Sequence, residues 1–298
     1  DGGAHEVNFV NNYYKMGVDT RLTTLFTINI EGNLKGTQSA YVSGNIRDNK
    51  DGSLSTDKLN DTYRLSIDDG RGSIDWDAFV DAPYFPSYAK IESAQEAYKS
   101  VLSDVGANLP LSDDTDRRVI KETLERSYTY VGSKSGIRGE IDNEKDAGGY
   151  ELYPEEMRPA DFDTDLDGLP DWWEEINGSN VNSAAGDYSD SHADNNNDGF
   201  SALEDYLAFM ASPNKILKPG EVTDIDLKAM FAGYTQSPMY TVDDPQSISH
   251  ISGSKLTIAA PSQIGIYPIT LTVTDGDGAS YTRLLNIAVT QKEILNIE

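Results

Sequence analysis

The sequence predicts a mainly β, multidomain protein in which a small helical segment separates two regions of strands. Short strands broken by Asn, Gly and Asp occupy residues 1 to about 75, and cleanly alternating strands fill the last 80 or so residues. Between them lie two acidic loops with a glycine at the same position, each leading into an apolar helix. Because single cores rarely grow beyond roughly 250 to 300 residues, the length of 298 residues favours several domains. The predicted domains are residues 1–160, 161–212 and 213–298.

Charge and cysteine content restrict the possible partners. The chain has 24 Lys and Arg against 50 Asp and Glu, a formal net charge of −26, so nucleic acid and anionic membranes should repel it. No apolar run approaches the roughly 20 residues that a membrane-spanning helix needs. Cysteine is absent, which excludes disulfide bonds as a source of stability.

The first acidic loop has the spacing of a twelve-residue calcium loop. A hard cation that takes six to eight oxygens needs ligands at alternate residues of a tight turn, with a glycine where the chain bends sharply. Gly168 stands at position six, and Trp172 and Trp173 follow in the helix. The predicted ligands are Asp163, Asp165, Asp167, the Leu169 carbonyl, Asp171 and Glu174.

A second loop repeats the pattern 31 residues later, with Gly199 at position six. Position nine is Ala202, so water is expected to serve there, and Glu204 is expected to close a capping box with Ser201. A single acidic loop can be a solvated turn, but two copies in glycine register favour calcium. The predicted ligands are Asp194, Asn196, Asp198, the Phe200 carbonyl and Asp205.

The first region contains four predicted strands. Asn12, Asn29 and Asn45 fall at similar places within them, and near-regular short strands are typical of a sandwich, a barrel or a stacked coil. The recurring asparagines favour the coil, because asparagines stacked at a turn can hydrogen-bond from one rung to the next. The predicted strands are residues 7–14, 25–32, 41–46 and 62–68.

Helices are predicted after residue 81. Ser93 and Glu96 form a capping box for the first, and the second begins near Ser112 or Asp113, where the acidic residues complement the helix dipole. Residues 132–159 are expected to form a surface connection. Residues 211–221 have two prolines and a glycine and are expected to be a linker. In the β-sandwich that follows, Tyr267 suits a corner tyrosine, and residues 275–278 (DGDG) suit a hairpin turn.

Five sequence blocks within the first 180 residues resemble, in the same order, the C-terminal part of secreted bacterial pectate lyases. The loop region resembles the EF-hand-like calcium module appended to many secreted polysaccharide-degrading enzymes, and the last domain resembles Ig-like or cadherin-like modules. The five blocks are HEVNFVNNYYK (5–15), YVSGN (41–45), SAQEAYKSVLSDVGANLP (93–110), GEIDNEKDAGGYELYP (139–154) and DTDLDGLPDWWE (163–174).

This resemblance implies the last rungs of a right-handed parallel β-helix with a helical cap, a calcium module and an Ig-like sandwich. It implies an extracellular bacterial enzyme that cleaves pectate or polygalacturonate by calcium-assisted β-elimination. The family's catalytic base and groove calcium ligands lie upstream of the block at residues 5–15. Arg21, Arg47 and Arg64 match no catalytic position, so the chain is expected to supply no catalytic residue and to need an upstream half.

Parts of the sequence are also typical of two other functions. A calcium-stabilised binding or anchoring module is the main alternative, because paired calcium loops also resemble dockerins, and the sandwich could hold carbohydrate or a cell surface. The spacing of 31 residues between the loops argues against a dockerin. A calcium sensor is disfavoured because sensors line an apolar groove with Met, whereas Met residues are scattered here. Calcium in place of disulfides favours a secreted or cell-surface location.

Overall fold

A computed structural model of the chain describes residues 3–32, 35–70, 72–106, 108–109, 112–152, 157–159 and 161–294. The chain forms two compact units, residues 1–102 with 117–150 and residues 103–116 with 151–298. Fifteen strands in five sheets make the described part mainly β, as predicted. The predicted domains include positions 1–2, 153–156, 160 and 295–298, which lie outside the described residues.

Unit 1 is built from short strands that pair mostly in parallel. In β1 and β4 His5 faces Gln38, in β2 and β5 Tyr13 faces Ile46, and in β3 and β7 Phe26 faces Tyr63. Partner strands are therefore offset by 33, 33 and 37 positions along the sequence. The three consecutive strands β1, β2 and β3 pair with β4, β5 and β7, in the same order. The strands are β1 (His5–Val10), β2 (Tyr13–Lys15), β3 (Phe26–Ile30), β4 (Gln38–Ser43), β5 (Ile46–Asp48), β6 (Leu54–Ser55), β7 (Tyr63–Ile67) and β8 (Phe79–Val80).

Two of the predicted strands are each interrupted by a sharp turn. Residues 7–14 divide into β1 and β2 at Asn11, where φ is +52°, and residues 41–46 divide into β4 and β5 at Gly44, where φ is +73°. A Cβ on Gly44 would lie 1.8 Å from the side-chain Oδ1 of Asn11, so a larger residue would require that side chain to move, and the positive φ of Gly44 also favours glycine. The single-strand predictions were wrong here because strand propensity does not register a one-residue turn of this kind.

The stacked asparagines are confirmed for one pair. The side-chain amide of Asn12 donates to Asn45 Oδ1 at 2.8 Å, and the Asn12 backbone N–H donates to the same oxygen at 3.0 Å. Asn45 is 1% exposed and donates in turn to the Phe9 carbonyl. Asn29 instead faces Ser66 in the β3–β7 pair, so it does not belong to this ladder.

Two helices follow the strands. Helix α1 (Ala94–Ser103) begins at the predicted capping box, with the Ser93 N–H donating to Glu96 Oε2 and the Glu96 N–H donating to Ser93 Oγ. Helix α2 (Asp114–Glu125) starts with two acidic residues, as expected for a helix N-terminus. The connection predicted for residues 132–159 contains a single-turn 3-10 helix (Glu144–Ala147) in its described part.

Unit 2 combines two short helices with two sheets. Helices α3 (Asp171–Asn177) and α4 (Ala202–Met210) each follow an acidic loop. One sheet has the order β10-β13-β12 and the other β11-β14-β15-β9, and a single hydrophobic core contains residues of both. The remaining elements are β9 (Asn214–Leu217), β10 (Val222–Asp226), α5 (Leu227–Met230), β11 (Met239–Asp243), β12 (Ser249–Ser252), β13 (Lys255–Ala259), β14 (Gly265–Thr274) and β15 (Ser280–Val289).

The structure tests three sequence predictions for this region. The hairpin turn between β14 and β15 is confirmed, and the Tyr267 hydroxyl donates to the Gln263 carbonyl, as a corner tyrosine does. The linker predicted at residues 211–221 is wrong in its centre, because β9 pairs there in parallel with β15. Of the prolines that suggested a linker, Pro213 directly precedes this strand and Pro219 lies two residues after its end.

The two loop helices pack onto the second sheet. Trp172, Trp173 and Phe209 form one apolar cluster with Ala288 of β15, and Ile216 and Ile266 pack against it. Strand β15 therefore contributes to two cores, since Leu285 and Ile287 belong to the core shared by both sheets. None of the helices in the described residues is long and apolar enough to cross a membrane.

Candidate metal centre

The first acidic loop folds as a tight turn that brings its position-one, -three and -five carboxylates together. Ligand oxygens of Asp163, Asp165 and Asp167 lie within 4.8 Å of one another. The Gly168 N–H donates to Asp163 Oδ2 at 3.2 Å, and the Asp171 N–H closes the loop on the Phe162 carbonyl at 2.8 Å. Gly168 has φ of +98°, a conformation that glycine adopts without strain.

The second loop has the same backbone geometry. The Gly199 N–H donates to Asp194 Oδ2 at 3.1 Å, and the Ala202 N–H closes the loop on the Ala193 carbonyl at 2.8 Å. Gly199 has φ of +97°. Position four is left-handed in both loops, with φ of +61° at Leu166 and +58° at Asn197. Two copies of one conformation, including a strained leucine, indicate a shared requirement rather than two unrelated turns.

Position seven is also equivalent in the two loops. The Leu169 N–H donates to Asp167 Oδ1, and the Phe200 N–H donates to Asp198 Oδ1. The carbonyls of Leu169 and Phe200, which the sequence predicts as ligands, therefore belong to residues held in the same way against the position-five carboxylate.

The first loop differs from the second in how deeply its carboxylates are buried. Asp165, Asp167 and Glu174 are 3%, 2% and 0% exposed. Buried polar groups normally have hydrogen-bond partners, yet five buried oxygens of this loop have none: Asp163 Oδ1, Asp165 Oδ1, Asp167 Oδ2, Glu174 Oε1 and Glu174 Oε2.

Crowding and burial shift the ionisation of these groups. Burial first, and then the negative charges of Asp165, Asp167, Asp171 and Asp190, raise the pKa of Glu174 to about 8 from its ordinary 4.5. The pKa of Asp167 is also raised, mainly by burial. Four carboxylates held together without a cation are electrostatically unfavourable, and a divalent cation would reverse that balance.

Asp171 lies at the same site, but both of its carboxylate oxygens accept hydrogen bonds. Its Oδ1 accepts from the Thr164 N–H at 2.8 Å, and its Oδ2 accepts from the Thr164 hydroxyl at 2.8 Å and from Lys292 Nζ at 3.1 Å. Both oxygens are therefore engaged in locking the loop, which makes Asp171 better placed to orient the site than to coordinate an ion.

The predicted side chains of the second loop also come together, on the surface. The side-chain amide of Asn196 donates to Asp198 Oδ2 at 2.9 Å and to Asp205 Oδ2 at 3.3 Å, and the Asp198 N–H donates to Asp194 Oδ1. Burial, followed by the charges of Asp198, Asp194 and Glu204, raises the pKa of Asp205. The expected Ser201–Glu204 capping box is confirmed.

Sequence reasoning missed two residues beside the first loop. The Ser183 N–H donates to Asp165 Oδ2 at 3.0 Å, and the buried Ser183 hydroxyl has no hydrogen-bond partner. The charge of Asp190 is among those that raise the pKa values of Asp167 and Glu174. Neither residue lies in loop register. The available signal was the long spacing between the loops, which lets residues 180–190 fold back over the first one.

The donor set of the first loop fits a hard divalent cation. Three monodentate aspartates, a bidentate Glu174 and the Leu169 carbonyl would supply six oxygens, and one water would complete seven-fold coordination. Calcium takes six to eight oxygens in flexible geometry, whereas magnesium demands a compact octahedron and keeps several waters. This all-oxygen, carboxylate-rich set therefore favours calcium.

The three arginines Arg21, Arg47 and Arg64 differ in their surroundings. The guanidinium of Arg47 donates to Asn49 Oδ1, the Thr23 carbonyl and Ser55 Oγ, and it pairs with Asp61 at 2.9 Å. Arg47 is 7% exposed, and these contacts join strand β5 to the neighbouring loops. Arg21 and Arg64 are exposed.

Comparisons with known proteins leave the chain without an assigned family. No family model and no curated protein matches it. A nucleoside hydrolase-related protein from Saccharophagus degradans, described as associated with carbohydrate metabolism, is a structural match at 17% identity and a TM-score of 0.21, covering 27% of this chain and 23% of that one. The PKD domain of the KIAA 1837 protein matches at 22% identity and a TM-score of 0.21, covering 28% of this chain and 88% of that one. At these TM-scores neither likeness assigns a fold or a function to the chain.

Proposed function

We propose that the chain binds calcium at the loop of Asp163, Asp165, Asp167 and Glu174, and that the bound ion holds the helical part of unit 2 in its folded form. The observation that carries the proposal is the environment of the Glu174 carboxylate. Its carboxylate is 0% exposed, both of its oxygens lack a hydrogen-bond partner, and the negative charges of four aspartates act on it. A buried carboxylate in that state needs a cation or a proton.

The role proposed for the ion is structural. Helix α3 has only seven residues, and isolated helices that short are unstable in water. The ion would link the loop to the start of α3, and the Trp172 and Trp173 side chains would then be positioned against the sheet. Because the folded loop alone offers the ligand geometry, calcium binding would add directly to the free energy of unfolding.

The second loop is proposed as a weaker calcium site. Its backbone matches that of the first, but the carboxylates of Asp194 and Asp198 are exposed, and position twelve is the shorter, half-buried Asp205. Exposed ligands are hydrated and mobile in the absence of the ion, so ordering them reduces the net binding free energy.

Calcium titration by calorimetry of the metal-free 298-residue chain tests this proposal. We expect two sites of unequal affinity, with Asp163→Ala losing the tighter one and Asp194→Ala the weaker one. Asp161→Asn is the matched control, because Asp161 is exposed and precedes the loop. An unchanged number of bound ions in both alanine variants would remove the proposal.

We propose, as a second candidate function, that the chain is the later part of a pectate-lyase-like extracellular enzyme whose unit 1 is a stretch of parallel β-helix. The three successive parallel pairings with offsets of 33, 33 and 37 residues and the Asn12–Asn45 contact support this architecture. Calcium would act here as an extracellular source of stability in a chain without cysteine. In this proposal the Ig-like sandwich is accessory.

An assay on polygalacturonate with calcium tests the enzymatic part, following the absorbance of the unsaturated product. We expect binding without turnover, because the chain supplies no residue proposed as the base. Robust turnover would show that a base is present after all. A non-catalytic anchoring module, the alternative function, predicts instead that the chain is retained on carbohydrate or cell-wall material with no effect on cleavage by a separate pectate lyase.

A further inference from the structure

A four-residue turn between the two acidic loops holds a carboxylate at each of its ends. Residues 180–183 form this turn, in which the Ser183 N–H donates to the Asn180 carbonyl at 3.1 Å. The Ser183 N–H also donates to Asp165 Oδ2 at 3.0 Å, and the Asn180 N–H donates to Asp190 Oδ2 at 2.9 Å. Because the ends of such a turn lie within about 7 Å of each other, this turn holds Asp190 beside Asp165, a predicted ligand of the first loop.

The segment that carries Asp190 is fixed on both sides of it. Before Asp190, the Gly186 N–H donates to the Asp165 carbonyl at 3.4 Å. After it, Ser191 is 0% exposed, and its carbonyl accepts from the N–H of Leu203 in helix α4 at 3.0 Å. The position of Asp190 beside the first loop is therefore set by contacts with that loop and with the helix.

The negative charge of Asp190 acts on the buried carboxylates of the first loop. It is among the charges that raise the pKa values of Glu174 and Asp167. These two residues are 0% and 2% exposed, and both Glu174 oxygens and Asp167 Oδ2 have no hydrogen-bond partner. A further carboxylate beside them makes the ion-free loop less favourable and strengthens its attraction for a divalent cation.

The turn also brings an unsatisfied hydroxyl to the loop. Ser183 Oγ is buried and has no hydrogen-bond partner, and the same is true of Oδ1 of Asp165, the residue that the Ser183 N–H holds. Buried polar groups normally have partners. One unsatisfied group on the turn and another on the loop indicate a ligand that both share.

We infer that Asp190 belongs to the first calcium site as an acidic residue outside the twelve-residue loop, and that the turn of residues 180–183 closes over the bound ion. This inference rests on the proposed calcium function. Because Oδ2 of Asp190 already accepts from Asn180, its carboxylate is assigned to the water that completes the coordination and not to the ion itself. The site then takes its acidic groups from two separate stretches of the chain.

Calorimetric calcium titration of the Asp190→Asn variant of the whole chain tests the inference. Asparagine keeps an oxygen for the Asn180 N–H and removes the charge. We expect two ions to bind, with the affinity of the tighter site lowered by about 5- to 30-fold, the effect of removing one charge several Å from a divalent ion. Asp187→Asn is the matched control, because it makes the same charge change at an exposed position of the same segment. It should bind calcium within about twofold of wild type.

The stability of the metal-free protein separates a role at the ion from a purely structural role. In chelator, Asp190→Asn should unfold at the same temperature as wild type or a higher one, because it relieves repulsion among carboxylates. A residue that only held the segment in place would lower that temperature when changed. Asp190→Glu restores the charge and should recover most of the calcium affinity.

A double variant assigns the effect to one of the two loops. Asp163→Ala removes the tighter site, so adding Asp190→Asn to it should leave the affinity of the remaining site unchanged. A loss at that remaining site would overturn the assignment to the first loop.

The other outcomes separate this inference from the proposal on which it rests. If metal-free wild type binds no calcium, the calcium function fails and the inference fails with it. If wild type binds two ions and Asp190→Asn binds them as tightly as Asp187→Asn does, the inference alone is overturned. A lower calcium affinity together with lower stability in chelator also overturns it, because that result shows a structural role.

Discussion

Lys292 Nζ lies 3.1 Å from Asp171 Oδ2 and so ties the segment after the last strand to the first residue of helix α3. The side chain of Asp171 is 3% exposed and that of Lys292 is 27% exposed, which makes this a partly buried ion pair. Asp171 also accepts two hydrogen bonds from Thr164 within the loop. Position nine of the first loop therefore connects the candidate metal centre to the sheet on which it packs.

The first prediction concerns that connection. Lys292→Met should lower the free energy of unfolding of unit 2 by about 1 to 2 kcal/mol, because it leaves a buried carboxylate oxygen with one partner fewer. Urea unfolding followed by Trp fluorescence measures the effect. Lys255→Met is the matched control, since Lys255 pairs with Asp224 on the surface, where such pairs contribute about 0 to 1 kcal/mol.

The effect of Lys292→Met should also depend on pH. Burial opposes ionisation of Asp171, but the hydrogen bonds from Thr164 and Lys292 outweigh it and lower the pKa of that carboxyl below 3.8. A depressed pKa contributes stability that is present above the ordinary value and is lost as pH falls through the lowered one. The difference between wild type and Lys292→Met should therefore shrink in acid. A difference that stays constant down to full protonation would contradict the ion pair.

The second prediction gives Glu174→Gln opposite effects in two conditions. Without calcium the variant should be more stable than wild type at pH 8, because glutamine removes a carboxylate whose ionisation is opposed by burial and by four aspartates. With saturating calcium it should be less stable. Each tenfold loss of calcium affinity removes up to about 1.4 kcal/mol of the stability that calcium adds. Thermal unfolding of both proteins in chelator and in calcium measures the predicted gain and the predicted loss of stability.

The pH dependence of the metal-free protein follows from the same group. The pKa of Glu174 is about 8 when folded and 4.5 ordinarily, so between these values the unfolded chain releases a proton that the folded one keeps. The contribution of this carboxyl to stability is fully present below about 4.5 and is lost as pH rises through 8. The difference in the free energy of unfolding between wild type and Glu174→Gln, measured as a function of pH, isolates this dependence. If the free energy of unfolding of metal-free wild type did not fall as pH rises through this range, Glu174 would have a partner that the structure does not show.

How much of this could be predicted from the sequence depended on how local each feature is. The Ser93 and Ser201 caps and the shared turn of the two acidic loops are set by neighbours three to twelve positions apart, and spacing alone located them. The Lys292–Asp171 pair joins residues 121 positions apart, and no local pattern reports it. The turns at Asn11 and Gly44 were missed because each depends on the other turn stacked against it.

Asp171 shows the limit of motif spacing within a site. Position nine was predicted as a ligand, and that stays a prediction; in the structure both of its oxygens accept hydrogen bonds, from Thr164 and Lys292. The spacing specifies where the carboxylate stands in the loop. It cannot specify which nearby donors reach that carboxylate first, because Lys292 is supplied by the tertiary fold.

The third prediction concerns the left-handed leucine. Leu166 has φ of +61° and is 66% exposed, so the loop holds a bulky residue in a strained conformation with little packing in return. The equivalent residue of the second loop is Asn197, a type that tolerates this conformation. Leu166→Asn should raise the free energy of unfolding by about 1 kcal/mol with unchanged calcium stoichiometry. Leu207→Asn, at an exposed site in the regular helix α4, is the control and should not stabilise.

The fourth prediction tests the stacked asparagines of unit 1. Asn45 is 1% exposed, its Oδ1 accepts two hydrogen bonds from Asn12, and its amide donates to the Phe9 carbonyl and to Asp57. Asn45→Ala would leave buried groups of both neighbouring stretches without partners, and each such group costs about 1 to 3 kcal/mol. We expect a loss of about 2 to 4 kcal/mol in urea unfolding of unit 1. Asn29→Ala removes an exposed asparagine from strand β3 and should cost less than about 1 kcal/mol. Equal losses in the two variants would mean that the ladder adds nothing specific to the pairing of the parallel strands.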